Sequence, residues 1–306
     1  MTLPQLSGGM FVTDGGLETD LIFHRGIELP EFASFVLIDD EAGKKALADY
    51  YRAYYDIARE RGAGFVLDTP TWRANRDWGE RLGYDRARLA DANRRWADEA
   101  AAMREAWGAD GVQVVLSGNI GPRGDGYVPG ELMAADEAAE YHAEQIATFA
   151  ETDLEMVTVL TLNYAEEAIG VARAAEAHGL PSAVSFTVET DGRLPSGQPL
   201  GEAIDQVDSE TGGAPAYFMV NCAHPTHFEG ELGGGAWCER IRGIRANASK
   251  MSHADLDGSE ELDAGDPHEL ADGYQRLRAK LPNLTVLGGC CGTDHRHVAA
   301  VTERLL

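Results

Sequence analysis

The sequence is poor in positive charge. Against 51 acidic residues stand only 26 lysines and arginines, which leaves a formal net charge of −25. A chain of that sign repels nucleic acid and anionic membrane surfaces, so the expected partners are small molecules. It has no apolar run near the roughly 20 residues that a helix needs to span a bilayer. Its first residues, Met1 to Met10, carry neither a basic segment nor an apolar stretch, so no secretory leader is expected and the cytoplasm is the expected compartment. Cysteine is scarce. Four in 306 residues do not make a disulfide framework, and clustered thiols in a reducing compartment point to metal or catalysis. Hydrophobic residues, at 44%, suffice for a sizeable core.

What is present is alternation. Short apolar runs lie at Phe11 to Thr13, Gly64 to Leu67, Val112 to Leu116, Met156 to Leu162, Ala183 to Val188, Tyr217 to Val220, Ile241 to Ala246 and Leu284 to Leu287. The seventh carries the weakest signal. Helical spacing covers 39–61, 85–107, 136–153, 165–178, 201–207, 267–280 and 294–306, with Asp39 or Asp40 capping the first helix and a short turn near Trp237. Strict alternation predicts an α/β fold with a parallel sheet. Eight units predict closure into a (β/α)8 TIM barrel forming one domain over 1–306, with an open doubly wound sheet as the alternative.

In such a barrel, chemistry gathers at the C-terminal strand ends. Polar, glycine-bearing clusters follow the runs: Asp14-Gly15-Gly16, Asp68-Thr69-Pro70-Thr71, Ser117-Gly118-Asn119, Asn221-Cys222-Ala223-His224 and Gly288-Gly289-Cys290-Cys291-Gly292. Cys222, Cys290 and Cys291 therefore meet on one rim. Three thiolates suit Zn2+ with a fourth position open, the arrangement of a catalytic rather than a structural zinc. The open position suits a substrate thiol, whose pKa a metal lowers, and the logic leads to thiol alkylation rather than hydrolysis. A vicinal Cys290–Cys291 disulfide is a rival reading, disfavoured by strain. Cys238, beside Trp237, reads as a small core hydrophobe. His224 and His227 read as loop or capping residues, and His295 and His297 as solvated. Asp14 could cap a turn, Thr69 and Asn75 could be loop hydrogen-bonders, and Trp72 could pack at the rim or face a cationic donor.

The segment Val286-Leu287-Gly288-Gly289-Cys290-Cys291-Gly292-Thr293 resembles the signature of the homocysteine methyltransferase family, and Val220-Asn221-Cys222-Ala223-His224-Pro225 resembles its other zinc-ligand motif. Asp14-Gly15-Gly16-Leu17-Glu18-Thr19, Thr69-Pro70-Thr71-Trp72-Arg73-Ala74-Asn75, Ser117-Gly118-Asn119-Ile120-Gly121-Pro122 and Ser185-Phe186-Thr187-Val188 are similar to its first-, second-, third- and fifth-strand motifs. The resemblance implies zinc on Cys222, Cys290 and Cys291, Asp14 holding an amino acid acceptor, and Asn221 supporting the metal site. The expected catalytic residues are Asp14 and Asn221. The expected substrate-binding residues are Asp14, Thr69, Trp72, Asn75 and Thr161. The implied reaction moves a methyl group from a sulfonium donor, S-methylmethionine or S-adenosylmethionine, to homocysteine, giving methionine. One departure stands out. Leu160 precedes Thr161 where the family carries a glutamate for the acceptor's ammonium group, so Asp14, Asp68 or Glu189 takes that role, or the acceptor is another thiol or selenol. A non-catalytic zinc- or thiol-binding barrel is a further reading, and a homo-oligomer is compatible with the fold.

Overall fold

The computed structural model describes residues 3–257, 259 and 261–306; Met1 and Thr2, at the start of the expected domain, lie outside them. Among the described residues eight strands pair in parallel in chain order. They are β1 (Phe11–Val12), β2 (Gly64–Asp68), β3 (Val114–Ile120), β4 (Met156–Leu162), β5 (Ser182–Phe186), β6 (Tyr217–Asn221), β7 (Ile241–Ala246) and β8 (Val286–Gly289). Phe11 and Val12 of β1 register with Val286 and Leu287 of β8, which closes the barrel and removes the open-sheet alternative. Barrel closure also explains how a two-residue β1 survives, since it is paired on both sides.

Local sequence accounts for most helix ends. The helix Glu41–Arg61 starts where the Asp40 carboxylate accepts from the amides of Ala42 and Gly43, and it stops at Gly62 with φ +66°. Its buried face carries Leu47, Tyr50, Tyr51 and Tyr54 against the barrel. Asp85, Asp266 and Asp294 cap the helices Arg86–Trp107, Pro267–Lys280 and His295–Leu305 in the same way.

Several elements differ from the sequence reading: β8 runs Val286–Gly289 rather than Leu284 to Leu287, β5 runs Ser182–Phe186 rather than Ala183 to Val188, and the helix Arg76–Arg81 adds to those expected. Two further differences have a clear physical reason. Strand β3 runs on through Ser117, Gly118 and Asn119, which read as a loop. Ser117 Oγ lies 2.7 Å from Thr158 Oγ1 in a buried pair, so a polar residue sits there at little cost. Gly118 leaves room for the Phe149 ring, which a Cβ there would approach to 2.5 Å. The helix after β5 is longer than expected, Leu200–Thr211, because its buried Leu200, Ala203, Ile204 and Val207 continue into a polar last turn. The barrel floor is filled by Leu3, Phe11, Val66, Val115, Met156 and Met219 among others, so the open end is the C-terminal one.

The rim ends of β7 and β8 are tied by one hydroxyl. Tyr274 Oη accepts from the Ala246 amide at 2.8 Å and donates to the Gly288 carbonyl at 2.6 Å. Tyr274→Phe is expected to lower stability by about 1–3 kcal/mol, because two buried backbone groups lose a partner. Urea unfolding checks this, and an unchanged midpoint would show that the tie is not needed.

Candidate metal centre

A cavity of about 410 Å³ opens at the C-terminal ends of the strands. Its wall draws on the end of β4 and on the loops after β1, β2, β3, β6, β7 and β8, and includes Asp14, Glu18, Trp72, Thr161, Asn221 and the three rim cysteines.

The sulfurs of Cys222, Cys290 and Cys291 all lie within 4.8 Å of one another, and Cys222 and Cys291 are 3.8 Å apart. Zinc–sulfur bonds of about 2.3 Å at tetrahedral angles require edges of about 3.8 Å. The donor set and its spacing therefore fit a zinc ion. The cysteines are free thiols, with no Cys290–Cys291 disulfide. Mutual hydrogen bonding within the cluster pulls Cys222 well below its ordinary pKa, and donation to Cys222 pushes Cys290 up to about 12. Three sulfurs held this close, one of them buried and two half-buried, cannot all carry charge without a cation among them.

Backbone strain aims these sulfurs. Cys222 has φ +53°, a left-handed conformation unusual for a residue with a Cβ. Its carbonyl is held by three donors: Thr187 Oγ1 at 3.3 Å, Asn247 Nδ2 at 3.1 Å and His253 Nε2 at 2.7 Å. The Cys290 carbonyl accepts from Thr293 through both amide and hydroxyl, and Gly292 supplies φ +77° for the turn. At Gly16 a Cβ would come 2.6 Å from the Cys290 carbonyl, so the β1 turn lies directly on the cysteine loop.

Asn221 is a buried clamp. Its Oδ1 accepts from the Thr161 amide at 2.8 Å and from Ser185 Oγ at 2.6 Å, and its Nδ2 donates to Thr161 Oγ1 at 2.8 Å and lies 3.9 Å from Cys290 Sγ. Thr161, at φ +64°, is another left-handed residue at the cavity wall. Tyr127, from the loop after β3, stacks on His253 at 4.0 Å and brings its hydroxyl to 3.6 Å from Cys291 Sγ.

Asp14 lies beneath this cluster but is already paired. Arg245, 5% exposed, donates through Nη2 to Asp14 at 2.5 Å, through Nη1 to Asp68 at 2.8 Å and through Nε to the Gly289 carbonyl at 3.1 Å. Tyr50 also donates to Asp14, at 3.1 Å. Burial raises both carboxylates, Asp68 to about 6, although Arg245 opposes the rise. Burial also works against the guanidinium, but the two aspartates outweigh it and keep Arg245 charged. Glu18 is pushed up to about 7 by burial, with Ser34 donating to Oε1 at 2.9 Å.

The other expected residues divide. Trp72 lines the cavity and donates from Nε1 to the Leu160 carbonyl at 3.2 Å. Thr69 and Asn75 are not in the cavity wall. Thr69 is engaged with Thr71 and the Asn119 amide, and Asn75 with Pro122, Trp78 and Tyr141. His224 caps the short helix Pro225–Phe228, and Cys238 is buried in the core. His297 corrects the solvated reading: it is 1% exposed, closes a capping box with Asp294 and bonds the Ala264 carbonyl at 2.7 Å. His295 is exposed. Sequence reasoning missed Arg245, Tyr127 and the separate position of Glu18. Arg245 had a usable signal, since an arginine inside a strand buried on both faces needs an anionic partner.

The chain is a closed parallel (β/α)8 barrel with three thiols converging on its rim, and its family match makes it a methyltransferase. Residues 11–305 match the homocysteine S-methyltransferase family, and the chain belongs to it. Among solved structures the chain is similar to the homocysteine methyltransferase MmuM from Escherichia coli. The oxidized form is 18% identical, with a TM-score of 0.76 and 96% of each chain covered. The metallated form is 19% identical, with a TM-score of 0.74, covering 97% of this chain and 96% of that one. At these identities the likeness concerns the fold. No curated relative matches the chain.

Arg245→Met would leave Asp14 and Asp68 buried without a counter-charge. A carboxylate whose folded pKa lies above its unfolded value stabilises the fold only while protonated, so that contribution is lost as pH rises through the folded pKa. Asp68 starts near 6 and moves higher in the variant. The expected loss is about 3–5 kcal/mol at neutral pH and less toward pH 5. Urea unfolding at both pH values is the check; an equal loss at both would separate Arg245 from the aspartates.

Proposed function

We propose that the protein methylates a thiol acceptor, homocysteine giving methionine, with a sulfonium compound as donor and Zn2+ held by Cys222, Cys290 and Cys291. The carrying observation is the convergence of three sulfurs at zinc-compatible spacing beside a cavity of about 410 Å³. The existence of a metallated form of MmuM supports the same reading. Bound zinc supplies an acceptor sulfur that is a thiolate at neutral pH. The residues of the chain do the rest. Asn221 orients Cys290 and the strained Thr161 backbone. Trp72 and Tyr127 present aromatic surface to a cationic donor. The acceptor sulfur gains the methyl carbon as the donor's carbon–sulfur bond breaks, and that electron pair stays on the donor sulfur. Opposite charges vanish together, so a largely apolar cavity favours the transfer over the separated ions.

S-methylmethionine or S-adenosylmethionine fits better than betaine. The expected catalytic roles of Asp14 and Asn221, a single domain over 1–306, a cytoplasmic setting and small-molecule partners without nucleic acid or membrane belong to the same proposal. Among the described residues no helix is long and apolar enough to cross a membrane. A second reading, the same chemistry on another thiol or selenol, is favoured by Leu160, an apolar wall residue next to Thr161.

Zinc-loaded protein given homocysteine with S-methylmethionine, S-adenosylmethionine or betaine in turn is expected to form methionine with one of the sulfonium donors, read by mass spectrometry. Cys290→Ser is expected to lose zinc, read by elemental analysis, together with activity. Full zinc occupancy in that variant refutes the ligand assignment. No methylated product from any thiol or selenol, with zinc bound, refutes the reaction.

A further inference from the structure

The acceptor of the proposed reaction carries an ammonium group, and the cavity wall holds six carboxylates, Asp14, Glu18, Asp68, Asp125, Glu261 and Asp263. Glu261 and Asp263 are exposed, and Asp263 accepts from Ser249 and the Gly265 amide. Asp125 accepts from the amides of Tyr127 and Val128 and lies 3.8 Å from Arg73. Asp14 and Asp68 both accept from Arg245. Glu189 lies outside the cavity wall and faces His253 Nδ1 at 3.2 Å. Leu160 presents only hydrocarbon. Glu18 differs from all of these. Its side chain lines the cavity, its hydrogen bonds come from neutral groups, the Ser34 hydroxyl and its own backbone amide, and among the described residues it has no ion pair. Neither Cys290 nor Asp14, the ionisable groups that act on it most, supplies a positive partner; both raise its pKa. Arg73 also faces the cavity and feels the Glu18 charge, but Asp125 acts on it more strongly, and its guanidinium sits 3.7 Å from the centre of the Trp78 ring and 3.8 Å from Asp125, with no ion-pair contact to Glu18.

Glu18 is also placed close to the thiol cluster. Thr19, its neighbour, accepts through Oγ1 from the Gly292 amide at 3.2 Å, and Gly16 lies against the Cys290 carbonyl. The turn that bears Glu18 is therefore stitched to the loop that bears Cys290 and Cys291. In an amino acid thiol such as homocysteine, sulfur and nitrogen are only a few bonds apart, so a group that binds the sulfur at the cysteines brings the ammonium within the neighbourhood of this turn.

We propose that Glu18 receives the α-ammonium group of the thiol acceptor and sets the enzyme's preference for amino acid thiols. The proposal rests on the thiol-transfer reading above. An ammonium placed there supplies the positive partner that this carboxylate lacks in the folded protein, and a charge-assisted hydrogen bond in a partly buried site is a strong discriminator. The same carboxylate gives nothing to an acceptor without nitrogen.

The test compares homocysteine with 4-sulfanylbutanoate, which keeps the thiol and the carboxylate and lacks the amine. Both are titrated calorimetrically into zinc-loaded protein. The wild type is expected to bind homocysteine roughly tenfold tighter or more. Glu18→Gln is expected to bring the two affinities together by weakening homocysteine alone, and Glu18→Asp to keep much of the preference. Zinc content and the urea midpoint of each variant report on folding, and the ratio of affinities is insensitive to partial loss of active protein. A preference that survives intact in Glu18→Gln overturns the proposal, as do equal affinities in the wild type. Binding of neither thiol by the zinc-loaded wild type overturns the thiol-transfer reading itself, and the Glu18 role with it.

Discussion

The rim of this barrel depends on a guanidinium buried between two carboxylates. Arg245 reaches from the end of β7 to Asp14 after β1 and Asp68 at the end of β2, and holds the Gly289 carbonyl at the end of β8. A charge so deeply buried is tolerated only when it is paired and fully hydrogen-bonded, and Arg245 satisfies that with partners on three other strands. The consequences spread from there. Gly289 is oriented, so Cys290 follows in a defined direction. Asp14 is ion-paired, so it enters the cavity as part of a fixed network rather than as a free anion. Glu18, four residues further along the chain, faces the cavity with no ion pair among the described residues.

A second constraint runs through the backbone. Thr161 and Cys222 are both left-handed residues at the cavity wall, and Asn221 connects them by bonding the first and preceding the second. Such conformations cost about 1–3 kcal/mol each and persist only where the surroundings over-determine them. Here the surroundings are three donors on the Cys222 carbonyl and both faces of the Asn221 amide. The strain turns a strand terminus inward, which lets β6 deliver a sulfur to the same point that β8 reaches through a glycine turn.

Much of the fold was legible because its signals are local. Period and capping placed Met156–Leu162, Ile241–Ala246 and Pro267–Lys280 at the bounds observed, even though the seventh strand read weakly. The thiol cluster was legible too, because topology alone brings strands six and eight to one rim. Errors arose where a residue's environment lies far away in the chain. Ser117 to Asn119 read as a loop because their polar and small side chains are matched by Thr158 and Phe149 on other elements. His297 read as solvated because its partner, Ala264, lies in a distant loop.

By itself, then, the sequence determined the order of elements, the barrel and the identity of the three thiols, since each follows from short-range pattern and from the handedness of parallel crossovers. Tertiary structure alone decided which charged groups are free. Asp14, Asp68, Glu18 and Glu189 are equivalent letters in the chain. Only the folded barrel pairs the first two with Arg245, turns Glu189 toward His253 and leaves Glu18 facing the cavity. The physical reason is that electrostatic partnership depends on distance in space and on burial, and neither is set by neighbours in sequence.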